Sequence, residues 1–119
     1  MEEGCGVYRH QDTMAVAAQK TSEIRARSAD LNLTDSSKVF NTEIIGALEM
    51  VNMVELAEVL AVSALSRKES RGAHTCRDFP KRDDQSFLYH TVAYRTDDGP
   101  RLEKKDVNLG HWEPQERKY

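Results

Sequence analysis

A histidine, two cysteines and a run of charged residues are the parts of this sequence whose types could support chemistry. His74 and Cys76 lie two residues apart, a spacing that could begin a zinc site or place a thiol beside a general base. No further cysteine or histidine spacing completes a set of four zinc ligands, and no third group is in view to orient a thiol–imidazole pair. We therefore predict no metal site, no catalytic residue, and two free thiols (Cys5 and Cys76) of the kind found in a reducing compartment.

The charged run is "ESRGAHTCRDFPKRDD", from Glu69 to Asp84, and it directly follows one of the most apolar segments of the chain. Its basic side chains could contact phosphate, but the acidic residues among them largely cancel their charge. Arginine and carboxylate groups form bidentate hydrogen bonds, so a dense mixture of the two can satisfy the polar groups of a buried loop. We predict a network of ion pairs that fixes an irregular loop, in which His74 bonds to backbone or carboxylate. Gly72 is the residue expected to need an unusual backbone angle.

Composition excludes several classes of function. The chain has 119 residues, which suits one domain, and 31% of them are charged with a formal net charge of −3. A negative balance argues against a nucleic-acid partner. No apolar window reaches the length of a membrane span, no signal peptide is evident, and neither G-x-G-x-x-G nor a P-loop occurs. We expect a soluble, intracellular protein that binds no cofactor by itself.

Two helices are expected before the charged run. The first covers "TMAVAAQKTSEIRARSADL", with Asp12 as its N-cap. The second extends from about Lys38 to Arg67, capped by Asp35 or Ser36, since apolar residues recur there at threes and fours without a proline. Its polar residues come every third position (Glu49, Asn52, Glu55 and Glu58), so the polar stripe spirals and apolar contacts are needed on more than one side. That helix must pack against the first helix and against something else.

A β-hairpin is expected after the charged run. "SFLYHTVAYRT" alternates and is rich in aromatic and β-branched residues, "DDGP" is a turn signal, and "RLEKKDVNL" can return as a second strand. One face would carry Leu88, His90, Val92 and Tyr94, with His90 half-buried. The fold class predicted is mainly α: a small antiparallel helical bundle, similar to a spectrin repeat, followed by an irregular loop and a C-terminal β-hairpin. We divide one compact unit into a bundle (residues 1–68) and a docking loop, hairpin and extended tail (69–119).

Four segments, in order along the chain, resemble one flavoprotein family. They are "MEEGCGVYR", the helix beginning "FNTEIIGALEMVNM", the run "RKESRGAHTCRDFPKRDD" with the strand "FLYHTVAYR", and the end "EPQERKY". Together they resemble the C-terminal domain of the flavoprotein subunit of succinate dehydrogenase and fumarate reductase. The family often has arginine where this chain has Cys76, so that arginine's contact is expected to be lost or taken over by Arg77.

The resemblance implies a domain of an oxidoreductase that carries none of its chemistry. FAD and the residues that bind dicarboxylate belong to upstream parts of such a subunit, and the domain would dock on the FAD-binding domain and an iron–sulfur subunit, touching membrane anchor subunits only indirectly. It also implies a location in the cytoplasm, peripheral to the inner membrane, and a chain cut at a domain boundary. The residues implied for interdomain docking are Arg71, Gly72, His74, Arg77, Asp78, Arg82, Asp83 and Asp84.

Two alternatives remain open from the sequence. L-aspartate oxidase and adenylylsulfate reductase share the S-R-G-x-H core, although the R-D-D run, the H-T strand and the terminal R-x-Y favour the succinate and fumarate branch. A free-standing interaction module, whose apolar second helix binds an unrelated partner, belongs to a different functional class. Such a module is expected to be monodisperse by itself, whereas an excised domain is expected to self-associate or bind a hydrophobic dye.

Overall fold

The computed structural model describes residues 1–115, and its elements give the helical pair and the C-terminal hairpin that the sequence predicts. No helix in that part of the chain is long and apolar enough to cross a bilayer. In chain order the elements are α1 (Glu2–Cys5), β1 (Tyr8–Arg9), α2 (Gln11–Ser28), α3 (Thr42–Ser66), β2 (Thr75–Cys76), α4 (Asp84–Phe87), β3 (Tyr89–Thr96) and β4 (Gly99–Asp106).

The core lies where α1, α2 and α3 meet the strand β2. It is built mainly from small side chains, and α2 runs antiparallel to α3, so that Met14 and Ala17 pack near Ala61 and Ala64. Small residues let helix backbones approach closely, but they bury little apolar area. The buried hydrophobic residues are Cys5, Met14, Ala17, Ala61, Ala64 and Cys76.

The start of α2 differs from the prediction. Asp12 does not cap the helix, which begins at Gln11 with His10 as the N-cap residue. Asp78, from the charged run, accepts a hydrogen bond from the Gln11 amide at 2.7 Å. A distant carboxylate therefore does what Asp12 was expected to do, because the charged run folds back over the start of the helix.

The start of α3 also differs, since the helix begins at Thr42 rather than near Lys38. Neither Asp35 nor Ser36 is its cap. The Asn41 side chain accepts a hydrogen bond from the Ile44 amide at 3.1 Å, which satisfies one of the free first-turn donors. The Asp35 carboxylate bonds instead to the Ser37 amide at 2.8 Å and closes a local turn.

The helix α2 does not bury all of the apolar side chains of the long helix α3, as the sequence of α3 predicts. Six of its large apolar side chains are 41–70% exposed: Ile44, Ile45, Leu48, Met53, Leu56 and Leu60. The polar stripe is not wholly solvated either, because Glu58 is only 4% exposed and its carboxylate lies 2.7 Å from Nε of Arg25 on α2. An interhelical ion pair thus replaces one of the solvent contacts expected of that stripe.

The hairpin pairs antiparallel, with Tyr89 opposite Asp106 and Thr96 opposite Gly99. Its turn is shorter than "DDGP", because β4 already begins at Gly99, which has a φ of +117° that glycine tolerates. The predicted half-burial of His90 is wrong, because this residue is exposed, whereas Tyr89, Thr91 and Val92 are half-buried. The predicted extended tail runs from Gly110 to Tyr119; residues 107–115 are neither helix nor strand, and residues 116–119 lie outside the described part of the chain.

Candidate functional site

The charged run follows α3 along the chain and folds back over the start of α2. Within this 69–84 loop, β2 pairs parallel with β1, with Tyr8 opposite Thr75 and Arg9 opposite Cys76. The Ser70 hydroxyl accepts a bond from the Cys76 amide at 2.9 Å and lies 2.8 Å from the Phe79 carbonyl oxygen. The backbone of the loop is therefore held by its own polar groups and by the N-terminal segment.

Glu69 is the centre of the loop, and its side chain is fully buried. Oε1 accepts hydrogen bonds from Nη2 of Arg67 and from Nε of Arg71, both at 2.8 Å. Oε2 accepts from Nη2 of Arg71 and from the Asp83 amide, both at 3.0 Å. Two cations and a backbone donor thus compensate one buried carboxylate, which is what a buried charge requires.

These contacts decide the protonation state of Glu69. Burial by itself would raise the pKa of this carboxyl, but hydrogen bonds from Arg71, the Asp83 amide and Arg67 outweigh burial and hold the pKa below its usual value. Glu69 is therefore ionised at neutral pH. From the sequence, Glu69 is expected only to cancel neighbouring basic charge; the arginines two residues before and two residues after it are the signal that could identify its role.

Arg67 joins the loop to the hairpin, another role that the sequence argument missed. Its Nη1 group donates to the Tyr89 carbonyl and to the Thr91 hydroxyl, both at 3.1 Å, and its Nη2 group donates to the Phe87 carbonyl at 2.5 Å. The guanidinium also lies 4.9 Å from the centre of the Tyr89 ring. One side chain therefore fixes the position of β3 relative to Glu69.

Arg71, Arg82 and Asp84 form a second part of the same network. Asp84 accepts a bidentate pair from Arg82 at 2.7 and 2.5 Å and a further bond from Arg71 at 2.6 Å. The hydrogen bonds from Arg82 and then Arg71 lower the pKa of Asp84 to about 2. Arg82 also donates to the Gln115 carbonyl at 2.6 Å, which connects the loop to the start of the tail.

Asp83 has a local role at the start of α4. Its carboxylate accepts hydrogen bonds from the amides of Gln85 and Ser86, both at 3.0 Å, and the Ser86 amide is the main cause of its lowered pKa. This is the arrangement of an N-cap residue.

His74 lies between two arginine residues and bonds to backbone, as predicted. Its Nδ1 lies 2.9 Å from Nη1 of Arg9, and its Nε2 lies 3.2 Å from the Arg67 carbonyl oxygen. A guanidinium can only donate, so Nδ1 accepts and Nε2 carries the proton. Burial lowers the pKa of His74, and the charges of Arg9 and Arg67 lower it further, which favours the neutral ring.

Gly72 lies at the tip of a tight turn in which Arg71 and His74 exchange backbone hydrogen bonds of 2.9 and 3.0 Å. Its φ of +57° confirms the predicted need for an unusual backbone angle. The residue itself is exposed. The turn therefore presents its backbone outward while the flanking side chains point into the network.

Arg77 does not occupy the same place as the side chain at position 76. Cys76 is completely buried in the core, whereas Arg77 is exposed and lies 4.7 Å from the centre of the Tyr8 ring. Arg77 follows β2 and its side chain lies at the surface, so it does not enter the space that the Cys76 side chain fills. Of the eight residues singled out for docking, Gly72 and Arg77 face outward, Asp78 bonds to the start of α2, and the other five join or adjoin the Glu69 network.

His74 and Cys76 do not form a thiol–imidazole pair in the part of the chain that the structure describes. The Cys76 sulfur has Gln11 as its neighbour at 4.0 Å, and the His74 ring bonds elsewhere. Within residues 1–115, no group of three histidine, cysteine, aspartate or glutamate side chains could hold a metal ion. What the loop can do chemically is join three parts of the fold through charge-assisted hydrogen bonds.

Acid should weaken the contacts of the 69–84 loop. The pKa values of Asp84, Asp83, Asp78 and Glu69 are all lowered in the folded chain, so their contribution to stability is complete above the unfolded pKa of about 4 and is lost as pH falls towards 2. We expect the free energy of unfolding in urea to fall over this interval. Asp84→Asn should lower stability at pH 7 and flatten the fall.

Asp106→Asn provides the matched control for this experiment. Asp106 is exposed at the end of β4 and forms no ion pair within residues 1–115. An acid dependence that is the same in the Asp84 variant and in the unsubstituted chain would contradict the role given to this network.

Comparisons with known proteins agree on one family. The family described as "Fumarate reductase flavoprotein C-term" matches residues 1–119. The fumarate reductase flavoprotein subunit of Escherichia coli (strain K12) is 43% identical over 122 residues, covering 100% of this chain and 20% of that protein. The succinate dehydrogenase flavoprotein subunit of Coxiella burnetii is 41% identical over 95 residues, covering 80% of this chain and 16% of the relative.

A solved structure of E. coli quinol fumarate reductase has the same fold. It superposes with a TM-score of 0.92 at 42% identity, covering 98% of this chain and 20% of that one. The chain thus spans about a fifth of the length of these relatives.

Proposed function

This chain belongs to the fumarate reductase flavoprotein C-terminal family, and we propose that it serves as the C-terminal helical domain of a succinate dehydrogenase or fumarate reductase flavoprotein subunit. In that role it supports the FAD-binding part of the subunit and presents surface to an iron–sulfur subunit. Succinate and fumarate interconversion takes place in the rest of the subunit, and the chain by itself is inactive.

The exposed apolar surface of α3 is the observation that carries this proposal. Six large apolar side chains of one helix are 41% exposed or more, and the loop before it exposes Phe40 to 96%. Exposed apolar surface on this scale marks an interaction site. A free-standing domain of this size would be more stable if those residues were buried. A domain that packs against the other four-fifths of a longer subunit buries them on assembly.

The 69–84 loop supports the same role by a different route. Its inward side chains are already paired with each other, so they fix the shape of the loop rather than wait for a substrate. We propose that Arg71, His74, Arg82, Asp83 and Asp84 hold that shape, and that Gly72, Arg77 and Asp78 supply its outer surface for interdomain docking. The ion pairs fix the backbone of the loop, and this frame holds the outer residues in position for docking.

The cofactor and location follow the parent subunit in this proposal. FAD is held by the longer subunit, in line with the flavoprotein names of the relatives. The assembled complex lies peripheral to the inner membrane on the cytoplasmic side, and this domain meets membrane anchor subunits only indirectly.

A chimera tests the proposal. The C-terminal fifth of the E. coli fumarate reductase flavoprotein subunit is replaced by this chain, and flavin content, co-purification with the iron–sulfur subunit and fumarate reduction are measured. We expect all three to be retained. Leu48→Glu together with Leu56→Glu should reduce assembly of the chimera, because both side chains lie on the exposed apolar surface of α3.

Glu49→Gln is the matched control, since it changes an exposed polar residue of the same helix. The isolated chain is measured in parallel for dye binding and sedimentation, and the Leu48 and Leu56 substitutions should reduce both dye binding and self-association. A chimera that loses flavin while the isolated chain is folded and monodisperse would support the free-standing module. Retained flavin without binding of the iron–sulfur subunit would support the aspartate oxidase alternative.

A further inference from the structure

A cavity between the end of α3 and the hairpin carries an excess of positive charge. Its volume is about 560 Å³, and among the residues that line it are Arg9, Arg67, Arg71, His74 and His90, but no aspartate or glutamate. Glu69, which pairs with Arg67 and Arg71, is fully buried and is not part of the lining. The volume is in the range of small-ligand sites.

Arg67 and Arg9 differ in how many of their N–H donors lack a partner. Every N–H group of Arg67 is used, by Glu69, by the Phe87 carbonyl at the end of α4 and by the hairpin. Arg9 donates Nε–H to the Gly6 carbonyl at 2.9 Å and one Nη1–H to His74 at 2.9 Å. Since a guanidinium has five donors, this leaves both hydrogens of Nη2 and one of Nη1 without a partner among residues 1–115.

Arg9 is also a half-buried cation without a counter-charge. No carboxylate of residues 1–115 forms an ion pair with it, although six other arginines do form such pairs. The imidazole beside it does not compensate its charge, because His74 is neutral and accepts the hydrogen bond. Arg9 therefore has the charge and the free donors to bind an anion from outside these residues.

Part of the cavity wall is apolar, and this part defines the rest of the ligand. Leu60, Ala64, Phe87, Leu88 and Val107 line it. We propose that this cavity is a binding site for a carboxylate with an apolar body, in which Arg9 holds the carboxylate and the apolar wall holds the body. The planar fork of a guanidinium matches a carboxylate, and an apolar body suits this wall better than a phosphate would. The site does not depend on the proposed function.

Phenylacetate is the probe for this site, and phenylacetamide is its neutral isostere. Titrated into the isotope-labelled chain and followed by NMR, phenylacetate should give saturable shifts at Arg9, His74 and Tyr89, whereas phenylacetamide should give none. Arg9→Gln should weaken phenylacetate binding about tenfold or more, because a hydrogen bond to a charged group is lost. Arg95→Gln is the control, since Arg95 is 83% exposed and lies outside the cavity, and it should change nothing.

His90→Glu keeps the test decisive if the Arg9 variant does not fold. His90 is exposed at the cavity, so the substitution adds a negative charge there at little structural cost and should also weaken phenylacetate binding.

A second arm of the experiment compares phenylacetate with the peptide N-acetyl-Phe-Glu-Phe-amide, whose one carboxylate is a side chain. Tighter binding of the peptide identifies a protein segment as the natural source, and tighter binding of phenylacetate identifies a free carboxylate. Equal binding of phenylacetate and phenylacetamide, or binding unchanged by both substitutions, overturns the proposal.

Discussion

Glu69→Ala should lower the free energy of unfolding by about 3–5 kcal/mol, because it leaves two partly buried guanidinium groups without their shared carboxylate. The Asp83 amide also loses its acceptor, a bond of 3.0 Å in the folded chain. Urea unfolding at pH 7, followed by circular dichroism, measures the change. Glu69→Gln should be less damaging, since its amide oxygen can still accept one or two of the bonds.

Glu55→Ala is the matched control for that prediction. Glu55 also pairs with an arginine, at 2.6 Å from Nη2 of Arg95, but the Arg95 side chain is 83% exposed. An exposed pair contributes about 0–1 kcal/mol. If Glu69→Ala costs no more than Glu55→Ala, the buried network does not hold the loop in place, and the frame assigned to the 69–84 loop is wrong.

Gly4→Ala should destabilise the fold by about 1–3 kcal/mol through overpacking. A Cβ atom at Gly4 would lie 2.5 Å from Cβ of Ala17 and 3.0 Å from the Thr13 carbonyl oxygen. Neither neighbour can rotate away, because one is a methyl group fixed to the helix and the other is backbone. Thermal or urea unfolding should show the loss.

The same substitution at Gly46 should have the opposite sign. Gly46 lies inside α3, and a Cβ there meets nothing within 4 Å, so Gly46→Ala should stabilise the helix by about 0.5–1 kcal/mol.

A double variant tests the Gly4 contact directly. Combined with Gly4→Ala, the substitution Ala17→Gly should recover part of the lost stability, since it removes the methyl group that clashes. An additive double variant would mean that α1 does not pack on α2 at this contact.

The sequence by itself determined the two long helices and the hairpin, because their signals are local. A 3.6-residue period without proline predicts α3, alternation with a turn signal predicts the hairpin, and Gly72 in a charged run predicts a positive φ. Ordered motifs were enough to identify the family, since they need no contact map. The surplus of apolar residues on α3 was also visible, because it can be counted along the helix.

Only the tertiary structure decided which charged residues form hydrogen bonds and ion pairs with each other. Asp78 bonds to Gln11 across 67 positions, and Arg9 meets His74 across 65, so no spacing rule could pair them. Glu69 is the clearest case: the arginines on either side of it hint at a pairing, but only the folded chain places it at the centre of the loop with no exposure. Burial is a property of how distant segments pack, and it converts one carboxylate among several into the residue on which the loop depends.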